Sequence, residues 1–167
     1  LLCWYTSIII PRNRVWLSNR VLIESKARDA PKSVHARFLL AELYLSDNNL
    51  AKAQEQAEIG IGIYADYAPL LTLRGAIFAE KKQYEEAKRS LLKAAKIDPT
   101  FFPTFSTLAK VYYASGEVEQ AISVYNQIIP KSFGKLHVED YVLYALSLTK
   151  NKQYQKSIDV VKNFIGT

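Results

Sequence analysis

The sequence predicts an all-α fold, a right-handed superhelical stack of antiparallel helix pairs (an α-solenoid), and three observations carry that prediction. Small residues recur in pairs twelve apart: Ala41 with Ala53, Gly75 with Ala87, Ala109 with Ala121, and Ala145 with Ser157. The first members step along the chain by 34, 34 and 36 residues and the second members keep that step, a period that marks a stacked repeat. Three residues after each first member stands a large one, Tyr44, Phe78, Tyr112 and Leu148. Small residues let paired helices approach, and the large residue fills the gap beside them.

The elements follow in order. Residues 1–12 form an apolar leader, Leu1 to Ile10 followed by Pro11-Arg12. Ten residues cannot span a bilayer, which needs about twenty. The leader is read either as the end of a membrane helix or as a segment packing on the first helices. Trp4 and Tyr5 suit an interface, and Arg12 and Arg14 suit its water side. A signal peptide fits less well, because the basic residues follow the apolar run. Residues 13–31 read as an N-terminal capping helix with Trp16 in the core, since the exposed end of a stack must be covered.

Four units then fill residues 32–167, at 34–67, 68–101, 102–137 and 138–167. Each has a first helix, a turn and a second helix. The turns are Ser46-Asp47-Asn48-Asn49, Lys81-Lys82-Gln83, Ser115-Gly116 and Asn151-Lys152, all built of turn formers or helix breakers. The second helix of the second unit stops at Asp98-Pro99, where proline cannot continue it. Pro130 comes early in the third unit, and a loop with Phe133-Gly134 adds two residues. Ser157 in place of alanine suggests a looser fourth unit. Gly60 and Gly62 are read as allowing close helix packing at some cost in propensity.

These motifs resemble the tetratricopeptide repeat family: Leu40-Ala41 with Tyr44 and Ala53; Arg74-Gly75 with Phe78, Tyr84, Ala87, Ala94 and Pro99; Leu108-Ala109 with Tyr112, Gly116, Ala121 and Tyr125; Tyr144-Ala145 with Leu148, Tyr154 and Ser157. The resemblance covers residues 34 to 167 and implies a non-catalytic protein-interaction scaffold. A weaker one, carried by Arg12-Asn13-Arg14-Val15-Trp16, Leu22 and Pro31, is to the junction where a last membrane helix leads into an extramembrane domain of this family. It implies a regulatory or substrate-presenting part of a membrane glycosyltransferase or polysaccharide-assembly protein.

At 167 residues and 49% hydrophobic, the chain has apolar material for one continuous core, and six Gly and six Pro are too few for a low-complexity linker. The balance of 22 Lys+Arg against 16 Asp+Glu, +6 at neutral pH, favours acidic partners only mildly. The lysines are dispersed through turns and second helices and no recognition motif appears, so nucleic acid is not an expected partner. The single Cys3 excludes an internal disulfide. His35 and His137 fall in corresponding parts of distant units and form no metal motif. Ile59-Gly60-Ile61-Gly62 lacks the lysine and hydroxyl of a phosphate loop. Glu85-Glu86 and Glu139-Asp140 lie near helix starts, where they suit the dipole. No enzyme activity, cofactor or metal is expected.

In the family, first helices line the concave side. Counting positions two, five, six, nine and twelve of each unit gives the expected groove: Phe38, Leu39 and Glu42; Thr72, Leu73 and Ala76; Thr107, Lys110 and Tyr113; Val142, Leu143 and Leu146. His35, Leu45, Pro69, Ala79, Pro103, Ser106, Glu139 and Thr149 complete the count. Mostly apolar and small, this lining suits an extended peptide or a helix with apolar anchors. Family members that grip an acidic chaperone C-terminus use lysines, asparagines and an arginine where this chain has Phe38, Glu42, Leu73, Pro103 and Thr107, which disfavours that ligand. The expected partner is a protein or peptide. Self-association through the apolar groove, and membrane attachment through residues 1–10, stand beside it.

Overall fold

A computed structural model describes residues 19–132 and 136–165. The leader, Trp16 and Phe133-Gly134 lie outside them. The described residues fold into helices α1 (Asn19–Asp29), α2 (Val34–Ser46), α3 (Leu50–Ile63), α4 (Ala68–Glu80), α5 (Tyr84–Ile97), α6 (Phe102–Ser115), α7 (Val118–Ser132), α8 (Val138–Lys150) and α9 (Tyr154–Ile165). They form two compact units, divided between Ala65 and Asp66. No shift in composition marks that boundary.

In the first unit, Ser33 caps α2 by accepting the Ala36 N–H at 3.3 Å, and Asn49 caps α3 by accepting the Lys52 N–H at 3.2 Å. Each side chain satisfies a donor the helix leaves orphaned. Ala41 and Ala53 are both 0% exposed, as the spacing of small residues requires. Ile23, Ala27, Ala36 and Leu40 form the core with Leu39, Leu43 and Tyr44 against it. The Arg37 guanidinium donates twice to the Pro31 carbonyl and once to Gln56 Oε1 at 2.8 Å, tying α2 to the preceding loop and to α3. Gly60 is buried, but Gly62 is exposed and a Cβ there would meet nothing within 4 Å. The packing role expected of Gly62 is therefore corrected: it faces solvent.

The second unit contains three helix pairs, α4/α5, α6/α7 and α8/α9. Pro69 and Pro103 sit in the first turns of α4 and α6, where the missing N–H costs nothing. Ala87, Leu91, Leu108 and Val111 form one core cluster, with Phe78 and Tyr112 packed on it. Ala109, Val118, Ile122, Tyr125, Ile128, Tyr144 and Leu148 form another. The large residues at the fourth place of each motif fill the gaps as their spacing predicts. Pro130 does not end α7, which runs on to Ser132; so near the end, proline sacrifices one helical hydrogen bond without stopping the last turn. Ser157 ties its pair together, donating to the Ala145 carbonyl at 2.9 Å and lying 3.0 Å from Thr149 Oγ1.

The four turns repeat at the level of single torsions. Asn48, Lys82, Gly116 and Lys152 have φ of +57°, +59°, +89° and +59°. A left-handed residue at this place reverses the chain between first and second helices, and only at 116 is it the glycine that accepts the conformation without strain.

Candidate functional site

The second unit presents its first helices α4, α6 and α8 side by side, and buried polar pairs link each to the next. Thr72 Oγ1 on α4 lies 2.7 Å from Thr104 Oγ1 on α6. One helix further on, Ser106 Oγ on α6 donates to Asp140 Oδ1 on α8 at 2.5 Å. All four residues are buried. Asp140 also accepts the His137 N–H at 3.2 Å, capping its own helix, and lies 3.7 Å from Lys110 Nζ. Buried polar atoms need such partners. Close by, the Tyr125 hydroxyl is buried with no hydrogen-bond partner among the described residues. Its burial, and then the charge of Asp140, pushes its pKa well above that of a free phenol.

Two recesses open on either side of α6. One, of about 310 Å³, lies between α4 and α6 and is walled by Ala76, Ala79, Tyr84, Val111 and Ala114, with Glu80 at its edge. The other, of about 230 Å³, lies between α6 and α8 and is walled by Phe102, Pro103, Ser106, Leu136, His137 and Asp140. Thr107 and Lys110 line both, so together they form the ridge between an apolar recess and a polar one. The Lys110 side chain is 41% exposed at that ridge. Nearby, Lys150 Nζ sits 5.3 Å from the centre of the Tyr113 ring, a cation–π contact that orients the ring.

The expected groove residues divide accordingly. Ala76, Thr107 and Lys110 line the recesses. Thr72 and Leu73 are 7% and 8% exposed. Thr72 spends its hydroxyl on the Ala68 carbonyl and on Thr104. Tyr113 and Leu143 are half-buried, while Val142 and Leu146 are exposed, at 51% and 46%. In the first unit, Glu42 is exposed and Phe38 and Leu39 half-buried, and His35 stacks on Phe38 with ring centres 6.2 Å apart. The buried pairing of Thr104 with Thr72 and of Asp140 with Ser106 escapes a count of exposed positions. Its signal was present: polar residues at place five of one unit and place three of the next.

No group of three or more histidine, cysteine or acidic side chains among the described residues could hold a metal ion. No helix among them is long and apolar enough to cross a membrane.

Paired helices repeating every 34 to 36 residues, with first helices aligned to offer a surface, define a helical-repeat scaffold protein. The tetratricopeptide repeat family model matches residues 78–134, and the repeated motifs on either side of that stretch are similar to those within it. Over 96 residues the chain is 27% identical to small glutamine-rich tetratricopeptide repeat-containing protein 2 of Saccharomyces cerevisiae, covering 53% of this chain and 28% of that protein. Over 122 residues it is 27% identical to the human protein O-mannosyl-transferase TMTC1, covering 73% of this chain and 14% of that protein. The chain thus matches little more than a quarter of the length of these relatives, or less. Among solved structures, Pseudomonas aeruginosa PilF superposes with a TM-score of 0.76 at 19% identity, over 94% of this chain and 70% of that one. YrrB, described as a tetratricopeptide protein with an unusual peptide-binding site, gives 0.69 at 15% identity, over 84% and 73%.

Proposed function

We propose that the chain is a non-catalytic protein-interaction module whose second unit takes a peptide or helix across α4, α6 and α8. The observation that carries this reading is the pair of recesses sharing the Thr107–Lys110 ridge. An apolar anchor of modest size fits the alanine-walled recess, and a polar group reaches Lys110 and the Ser106–His137 side of the other. Recesses of this size hold single side chains, so affinity would come from several along one segment. The peptide-binding site named for YrrB supports the class of ligand. In the first unit, Phe38, Leu39 and Glu42 would present a similar face.

The test is selection of binding peptides from a random display library, followed by titration of the selected peptide into variants. Ala76→Arg fills the apolar recess and Lys110→Glu reverses the ridge charge; each is expected to weaken binding about tenfold or more. Lys96→Glu, on the opposite helix layer, should leave it unchanged. Binding that survives both recess variants would overturn the reading. Leu73→Glu is unsuitable as a probe, because Leu73 is buried.

A second reading makes this module an extramembrane regulatory or substrate-presenting part of a membrane glycosyltransferase or polysaccharide-assembly protein, supported by the 122-residue similarity to the human O-mannosyl-transferase. Glycosyl transfer by the native membrane protein that is unaffected by Ala76→Arg and Lys110→Glu would count against it.

A further inference from the structure

The recess between α4 and α6 owes its room to three alanines. Counted along each unit, Ala76 and Ala79 hold the ninth and twelfth places of the second unit, and Ala114 the thirteenth of the third. One joint further on, between α6 and α8, the same three places carry Lys110, Tyr113 and Lys150. There the space is occupied from within: the Tyr113 ring is half-buried, with Lys150 Nζ 5.3 Å from its centre. Of two successive joints between first helices, one therefore holds a ring and its cation, and the other is open over about 310 Å³. The wall of the open joint is continuous with the core, since Val111 is 1% exposed and belongs to the cluster on which Ala79 and Tyr84 pack. A cation is still at hand, one turn before the place on α6 that corresponds to Lys150. Lys110 lines the recess, and its ammonium is 3.7 Å from Asp140 Oδ1, too far for a hydrogen bond.

We infer that the bound segment anchors in this recess through an aromatic side chain, its ring laid on Ala76, Ala79 and Ala114 and its face turned to the Lys110 ammonium. This rests on the reading of the second unit as a peptide-binding face and names the side chain which that face selects. The match is one of charge as well as shape. A ring is negative on its face and positive at its edge, so a cation is drawn to the face. An aliphatic side chain in the same place would displace water from the ammonium and return nothing to it. A ring also covers more of the apolar wall than a branched aliphatic side chain does. Seated so, the ligand's ring completes between α4 and α6 the pairing that Tyr113 and Lys150 make between α6 and α8.

The test is selection of peptides from a random display library against the whole chain, followed by titration of a selected peptide and its variants. The binders are expected to share a Phe, Tyr or Trp at one position. Replacing that residue by cyclohexylalanine keeps the shape and removes the π face, and should weaken binding about two- to fivefold, the worth of an exposed cation–π contact. Against Lys110→Met the same replacement should change nothing. Ala79→Tyr sets a ring in the recess from within and should weaken binding about tenfold or more, with helical content unchanged. Peptides that lose affinity to Ala76→Arg but share a Leu, Ile or Val anchor would overturn the aromatic anchor and leave the peptide-binding face standing. So would a cyclohexylalanine loss that is equal against the wild type and Lys110→Met, or binding that survives Ala79→Tyr. A library that yields no binders, or binders indifferent to Ala76→Arg, would overturn both.

Discussion

The Ser106 hydroxyl donates to the fully buried carboxylate of Asp140, joining first helices whose contacting residues are 34 positions apart in sequence. One helical repeat thus holds the next by a polar bond inside an apolar stack. Ser106→Ala leaves Asp140 with the His137 N–H and a 3.7 Å approach to Lys110, and it should cost about 1–3 kcal/mol, the penalty for stranding part of a buried charged group. Thr72→Val removes a hydroxyl that meets another hydroxyl, not a carboxylate, and should cost less. Urea denaturation of the two variants checks the order; equal losses would show that the carboxylate is not the sensitive partner.

Two glycines should respond to alanine in opposite directions. At Gly62 the added methyl meets open space, so Gly62→Ala should stabilise by roughly 0.5–1 kcal/mol through helix propensity alone. At Gly75 it would lie 2.6 Å from Leu91 Cγ and 2.9 Å from its Cδ2. Overpacking of this kind costs about 1–3 kcal/mol, which outweighs the propensity gain. Truncating Leu91 to alanine should turn the Gly75→Ala effect neutral or favourable, and a double-mutant cycle by thermal unfolding measures that coupling directly.

Lys88 on α5 reaches Glu117, just before α7, at 2.6 Å, and Glu85 at the same distance. Hydrogen bonding to Glu117, then to Glu85, holds the Lys88 ammonium above its ordinary pKa. Lys88, then Ser115, holds the Glu117 carboxyl below its own. The depressed carboxyl contributes stability that is present above its unfolded value near 4.5 and lost as pH falls through the lower folded value. The raised ammonium contributes below 10.5 and loses its contribution as pH rises through the higher folded value. Glu117→Gln should therefore cost about 0.5–1 kcal/mol at neutral pH, as a partly exposed pair does, and flatten the acid limb of the stability profile. An unchanged acid limb would mean that other carboxylates set it.

What could be read in advance was whatever repeats. The small residues at 41, 75, 109 and 145, the large residues three further on, and the turns at Asn48, Lys82, Gly116 and Lys152 recur because every helix pair solves the same close-packing problem. A local pattern repeated four times is legible without coordinates. The candidate site was legible only in part. Counting positions picked out Ala76, Thr107 and Lys110, which line recesses, together with Thr72 and Leu73, which are buried. Periodicity tells which side of a helix a residue occupies, but not how deeply the neighbouring helix covers it.

The sequence by itself determined the helices, their pairing and the likeness to tetratricopeptide repeats, since these follow from spacing within about 36 residues. The tertiary structure alone decided which polar groups meet between successive first helices of the second unit and where recesses open beside α6. Those outcomes depend on the distance and tilt between elements, and so on side chains far apart in the chain packing against one another.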